Sequence, residues 1–195
     1  ILVAALLAAL IAAMVIEDRQ LQREALQRDT DSAAQQLSAR LLLVREALSV
    51  IAVEMGTGVV DARRFEALAR EMIDSKPELM ALAHLDERGA ALSPPVLNFA
   101  FGPGWNPASL DEVRVLAEQT AAAAQGRFAL VGGARDDAAP VALLLPATAG
   151  DQPQGSLVAL LSLRELLRTG VTPELLERYR FTVEQEDRQL VASSL

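Results

Sequence analysis

The chain is 195 residues long, room for one ordinary domain or one domain and part of a second. Its net charge of −8, from 18 basic and 26 acidic side chains, excludes a basic surface of the kind that binds nucleic acid. With no cysteine and one histidine, it has no disulfide frame, no thiolate nucleophile and no metal site of thiolates or clustered imidazoles.

The first sixteen residues, Ile1 to Ile16, contain no polar side chain. A helix that is apolar all round belongs in a membrane or a deep core, and sixteen residues rise about 24 Å, short of a full span of about 20 residues. The first residue is not Met, so residues 1–16 are expected to be the outer part of a truncated transmembrane helix. A cleaved secretory signal and a buried core helix are the competing readings.

Residues 17–56 are expected to form a helical stalk. Glu17 to Met55 contains no Gly or Pro and is rich in Ala, Leu, Gln, Arg and Glu. Leu37, Leu41, Val44, Leu48, Ile51 and Met55 follow one another at 4, 3, 4, 3, 4, an a/d seam that fades upstream through Ala34, Thr30, Gln27 and Arg23. This seam packs on the domain that follows or joins two copies of the chain as a parallel homodimer, and the two are compatible, since a helix can bury one stripe on its own sheet and another on a partner. Gly56-Thr57-Gly58 signals the end of the helix.

Residues 57–178 read as a globular α+β unit. Asp61 is the expected N-cap of a helix with Phe65, Leu68, Ala69, Met72 and Ile73 inward, stopped by Lys76-Pro77. Leu79 to Leu85 is an expected strand, Asp86 to Gly89 a turn, and Ala90 to Leu92 the return strand. Ser93 to Pro107 reads as a loop and Leu110 to Gln125 as a helix. Strands are expected at Arg127–Val131, Val141–Pro146 and Gly155–Leu163, then short helices at Arg164–Arg168 and Pro173–Glu177. Residues 179–195 contain a last strand pair around Glu186-Asp187-Arg188. That pair adds edge strands to the same sheet or opens a second lobe. The second reading is suggested by the echo of Leu85-Asp-Glu-Arg-Gly-Ala-Ala-Leu92 in Gln185-Glu-Asp-Arg-Gln-Leu-Val-Ala192. The element order implies an antiparallel sheet with helices to one side.

The long helix leaving an apolar span, the stretch Pro77-Glu-Leu-Met-Ala-Leu-Ala-His-Leu-Asp-Glu-Arg-Gly89 and the strand Gly155-Ser-Leu-Val-Ala-Leu-Leu-Ser-Leu163 with Arg164-Glu-Leu-Leu167 resemble the PAS-like extracytoplasmic sensor regions of the Cache or CHASE type. The resemblance covers residues 17–195. It implies a long N-terminal helix packed on a PAS-like antiparallel sheet with flanking helices. It further implies a signal-sensing region in the periplasm, anchored in the bacterial inner membrane. The parent is then a two-component sensor histidine kinase, with a chemoreceptor or a diguanylate cyclase as the related forms. An anchored interaction or dimerisation domain without a small-molecule ligand is the alternative.

No catalytic constellation is expected. Ser93, Ser109, Ser156 and Ser162 lack a nucleophile elbow, and Gly102-Pro-Gly104 and Gly132-Gly133 lack the features of a phosphate loop. Neither a cofactor nor a metal is expected, and the kinase parts of such a parent would lie elsewhere. The resemblance places a pocket between the sheet and residues 94–126, which brings forward Asn98, Phe99, Phe101, Trp105 and Asn106. His84, Arg127 and Arg135 are further candidates from residue type and position. The aromatic–Arg, Tyr, Asp signature of amino-acid-binding members is not found, so the sequence offers no support for an amino-acid ligand. Expected partners are a second copy of the chain through the stalk, a membrane, and a small molecule or a periplasmic protein as signal.

Overall fold

The computed structural model describes residues 2–101, 107, 111–131, 140–150, 152–179, 181–185 and 188–192, with side chains described from residue 24 to residue 179. The first element, α1, is one uninterrupted helix, Leu2–Gly56. Val44, Leu48, Ile51 and Met55 are buried, and Leu37 and Leu41 pack half-buried beside them. The predicted seam therefore packs on the chain's own domain and is not free to join two copies. Upstream, Ala33 and not Ala34 continues the buried face, and Ala52 joins it. A straight helix drifts off a 3.5-residue repeat by about 20° per heptad, so the buried stripe moves off the heptad positions.

The two glycines at the end of α1 do different work. Gly58 has φ of 72° and closes the helix, with its N–H donating to Met55 O at 3.0 Å and the Val59 N–H donating to Glu54 O at 3.2 Å. Gly56 lies against the backbone of Thr148, where any Cβ would overlap the Thr148 carbonyl. The helix α2, Ala62–Ser75, is capped as expected by Asp61, whose carboxylate accepts the Arg64 N–H at 2.8 Å, and it buries Phe65, Ala69 and Ile73.

A five-stranded antiparallel sheet follows, in spatial order β2-β1-β5-β4-β3. Its strands are β1 (Leu79–Leu85), β2 (Val96–Leu97), β3 (Arg127–Leu130), β4 (Pro140–Ala149) and β5 (Gln152–Ser162). The return strand falls later than Ala90–Leu92. A Leu85–Ala91 bridge forms there, with the Asp86 N–H donating to Ala90 O at 2.7 Å and the Leu92 N–H to His84 O at 2.9 Å, and strand pairing resumes at Leu82–Val96 and Ala81–Leu97. Pro94 and Pro95 have no N–H to donate, so the chain bulges outward before β2 rejoins β1.

The β4–β5 hairpin is longer than expected, pairing out to Ala149–Gln152 around Gly150 at φ of 61°. Pro146 and Pro153 are tolerated because β3 pairs only with residues 141–144 and β1 only with 156–161, which leaves the hairpin tip with free outer edges.

The helices do not lie to one side of the sheet. One face packs on α1, α2 and α4 (Leu163–Gly170), and the opposite face packs on α3 (Asp111–Ala123) through Val113 and Ala117. The chain then forms α5 (Pro173–Arg178) and a hairpin of β6 (Phe181–Gln185) and β7 (Arg188–Ala192). That hairpin is a two-stranded sheet of its own, so it does not extend the edge of the five-stranded one.

Candidate functional site

Alternation along β1 decides which layer each candidate faces. Ala81, Ala83 and Leu85 belong to the α3 side, whereas Leu82 and His84 point toward α2. His84 lies against Phe65 with ring centroids 6.0 Å apart, and its Nε2 is buried without a hydrogen-bond partner among the described residues. Burial pulls the imidazole below its ordinary pKa, because the cation loses hydration there. The histidine is thus on the opposite side of the sheet from the expected pocket layer.

The α3 layer begins where β2 ends. Asn98 uses its side chain locally: Nδ2 donates to Leu79 O at 3.0 Å, and Oδ1 accepts the Ala100 N–H at 3.1 Å. This bonding holds the short 3-10 turn Phe99–Phe101 against the edge of β1. Phe101 packs half-buried on the α3-side core, and Phe99 is 77% exposed. Arg127 opens β3 at the opposite edge, where its Nη1 donates to Gln119 Oε1 of α3 at 2.8 Å. With strands about 4.8 Å apart, β2 and β3 are separated by roughly 19 Å, so Asn98 and Arg127 do not converge on one small molecule. Trp105, Asn106 and Arg135 lie outside the described residues.

Between α3 and the sheet lie Met80, Ala81, Ala83, Leu85, Ala142, Leu144, Val158 and Leu160, with Val113 and Ala117 above them. The polar groups in reach are hydroxyls. The Ser156 hydroxyl, fully buried, donates to Ala117 O at 3.3 Å, and the Thr120 hydroxyl donates to Leu116 O at 2.8 Å. Ser93 is buried beside the proline pair, with its hydroxyl unpartnered among the described residues. Ser93 and Ser156 stand out in the sequence only as serines without a nucleophile elbow, and Thr120 carries no motif.

The buried charge lies on the other face. Glu78, just before β1, is the one fully buried charged side chain among the described residues. Arg40 of α1 reaches it with Nη2 2.9 Å from Oε1 and 3.1 Å from Oε2. Of the two carboxylate oxygens, Oε2 accepts the hydrogen bond, whereas Oε1 and Arg40 Nε have no hydrogen-bond partner among the described residues. No group of three or more metal-ligating side chains occurs among the described residues.

No protein-family model matches the sequence, and no curated protein matches it. Solved structures do resemble it. The ligand-binding domain of a Pseudomonas aeruginosa amino-acid chemoreceptor, PctC, in complex with GABA is 19% identical at a TM-score of 0.53, covering 86% of this chain and 74% of that one. The ligand-binding domain of the Campylobacter jejuni chemoreceptor Tlp3, in complex with L-valine, is 10% identical at a TM-score of 0.53, covering 89% and 73%. An extracellular ligand-binding receptor from Desulfohalobium retbaense is 12% identical at 0.52, with 77% of this chain matching only 27% of that one. At these identities the likeness is one of fold alone.

Proposed function

We propose that this chain is the extracytoplasmic signal-sensing region of a membrane-bound bacterial signalling protein. The observation that carries the reading is the sheet order β2-β1-β5-β4-β3, with one long helix on a face of the sheet and an apolar N-terminal end to that helix. Sensor histidine kinase is the parent class favoured here, with chemoreceptor and diguanylate cyclase as related forms; catalysis would belong to other parts of such a parent. Among the described residues no helix is long and apolar enough to cross a membrane. The anchor proposed for residues 1–16 rests on their apolar sequence and on the uninterrupted backbone of α1.

The ligand proposed is a small uncharged molecule held between α3 and the sheet. Alkyl groups and the hydroxyls of Thr120 and Ser156 lie in that layer. A thermal-shift screen of residues 17–195 should find its stabilising compounds among uncharged molecules. Bound compound should slow amide exchange in β1, α3 and β5. Hits confined to amino acids, or protection confined to α2, would contradict the assignment.

A homodimer through the stalk remains part of the proposal, on a different stripe. Leu42, Leu43, Val50 and Val53 are 53–61% exposed on the side of α1 opposite the buried seam, and Leu43, Val50 and Val53 keep heptad spacing. Glu46 interrupts the stripe, so the seam is short. Sedimentation of residues 17–195 should show a dimer that the pair Leu43→Glu and Val50→Glu dissociates without lowering Tm. A monomeric parent sequence at high concentration would contradict it. The β6–β7 hairpin is proposed to open a second PAS-like lobe.

A further inference from the structure

After β5 the chain runs back along α1 toward the apolar end of the helix. Gly170 packs on the stem of Arg40 and on Leu37, and the Thr172 N–H donates to Gln36 Oε1 at 3.1 Å. Leu175 and Leu176 pack on the core that includes Ala33. At Asp29 the descent ends in a cluster. The Tyr179 hydroxyl donates to Asp29 Oδ2 at 2.7 Å, Arg178 Nη1 is 3.6 Å from the same oxygen, and the Arg178 guanidinium lies 5.5 Å over the Tyr179 ring. From Arg40 to Asp29 is roughly 16 Å of helix at 1.5 Å per residue, and the exit segment follows it antiparallel throughout. The β6–β7 hairpin begins two residues after the cluster.

We propose that Asp29, Arg178 and Tyr179 form a clamp that fixes the exit segment in register on the stalk, giving the stalk a route to the β6–β7 hairpin that bypasses the sheet. The clamp stands on its own geometry; the transmission part rests on the sensing role proposed above. The strong member is the short bond from hydroxyl to carboxylate, since exposed ion pairs at 3.6 Å add little.

The chain has a single tyrosine, so absorbance titration reads Tyr179 without interference. The hydrogen bond to Asp29 raises this phenol above its ordinary value, aided by burial and by the Asp29 charge and opposed by the Arg178 charge. The raised value means the clamp holds below the ordinary phenol pKa and opens as pH climbs through the folded one. Full-chain protein should therefore titrate above about 10, and Asp29→Ala should bring it back toward that value.

The Leu175, Leu176 and Tyr179 amides donate to Thr172 O, Thr172 O and Leu175 O. Their exchange should accelerate by about tenfold in Asp29→Ala and in Tyr179→Phe, while β4 and β5 amides stay as slow as before. The double variant should be no faster than either single one. An unshifted phenol with unchanged exchange would overturn the clamp. A clamp verified this way, with Tyr179→Phe leaving signal-dependent output of the parent protein intact, would overturn the transmission route alone.

Discussion

Replacing Arg40 by Ala should destabilise the folded domain by about 3–5 kcal/mol, the cost of leaving a buried carboxylate without its cation. Glu78 is fully buried between α1, the start of β1 and the β5–α4 corner, where its backbone O accepts the Ser162 N–H at 2.8 Å. Its carboxylate has no solvent to turn to once Arg40 is gone. The reverse change, Glu78→Ala, should cost less, because the Arg40 side chain is 26% exposed and its long stem can carry the charge outward. Replacing both together, as Arg40→Met with Glu78→Leu, should recover most of the loss, since apolar pairs of similar volume commonly replace buried ion pairs at little cost. Urea unfolding of the four proteins measures this directly. Equal costs for the two single substitutions, or no recovery in the double, would show that the pair acts through packing and not through charge.

Gly155→Ala is expected to be comparably severe, at about 4 kcal/mol from backbone strain and overpacking combined. Gly155 has φ of 117°, a conformation that side-chain-bearing residues rarely adopt, and a Cβ there would overlap the carbonyl oxygen of Leu85. It stands at the point where β5 enters its pairing with β1, next to the Ser156–Leu85 pair. The obstacle is the Leu85–Asp86 backbone, so no rotamer change relieves it. Gly150→Ala is the matched control: φ of 61° is a mildly strained turn conformation, and open space surrounds the position. Its cost should be about 1 kcal/mol. A Gly155→Ala variant that unfolds at the same denaturant concentration as Gly150→Ala would show that β5 can shift away from β1.

The elements legible in the sequence are those whose signals are local. The apolar run of β1 sits between Pro77 and Asp86, so both ends are marked. Asp61 and the spacing Phe65, Ala69, Ile73 mark α2 in the same way. The seam from Leu37 to Met55 was legible as a stripe, but what covers it was not, because a heptad pattern fits a sheet as well as a second helix. Two residues of β2 behind a proline pair give no periodicity to read. Pro146 and Pro153 look like strand breakers until the pairing shows that no outer strand flanks the tip of the hairpin. The ties from Arg40 to Glu78 and from Asp29 to Tyr179 span 38 and 150 residues, and nothing near either partner announces the other.

The candidate site was legible only as a region. The resemblance pointed to residues 94–126 as the layer over the sheet, and α3 packs on one face of that sheet. Asn98 and Arg127 are polar and look available, yet both spend their hydrogen bonds on neighbouring backbone or on Gln119. His84 attracts attention as the one histidine, and alternation along β1 turns it to the α2 side.

The central claim is that α1 carries the state of the sensor lobe along one rigid helix. Its most direct test is a Gly-Ser-Gly-Ser insertion after Arg28 in the parent protein, below the packed part of the stalk and within the unbroken helix. Output should become independent of signal, while the Tm of the isolated lobe stays within a degree or two of the parent value. Signal-dependent output that survives the insertion would contradict the account.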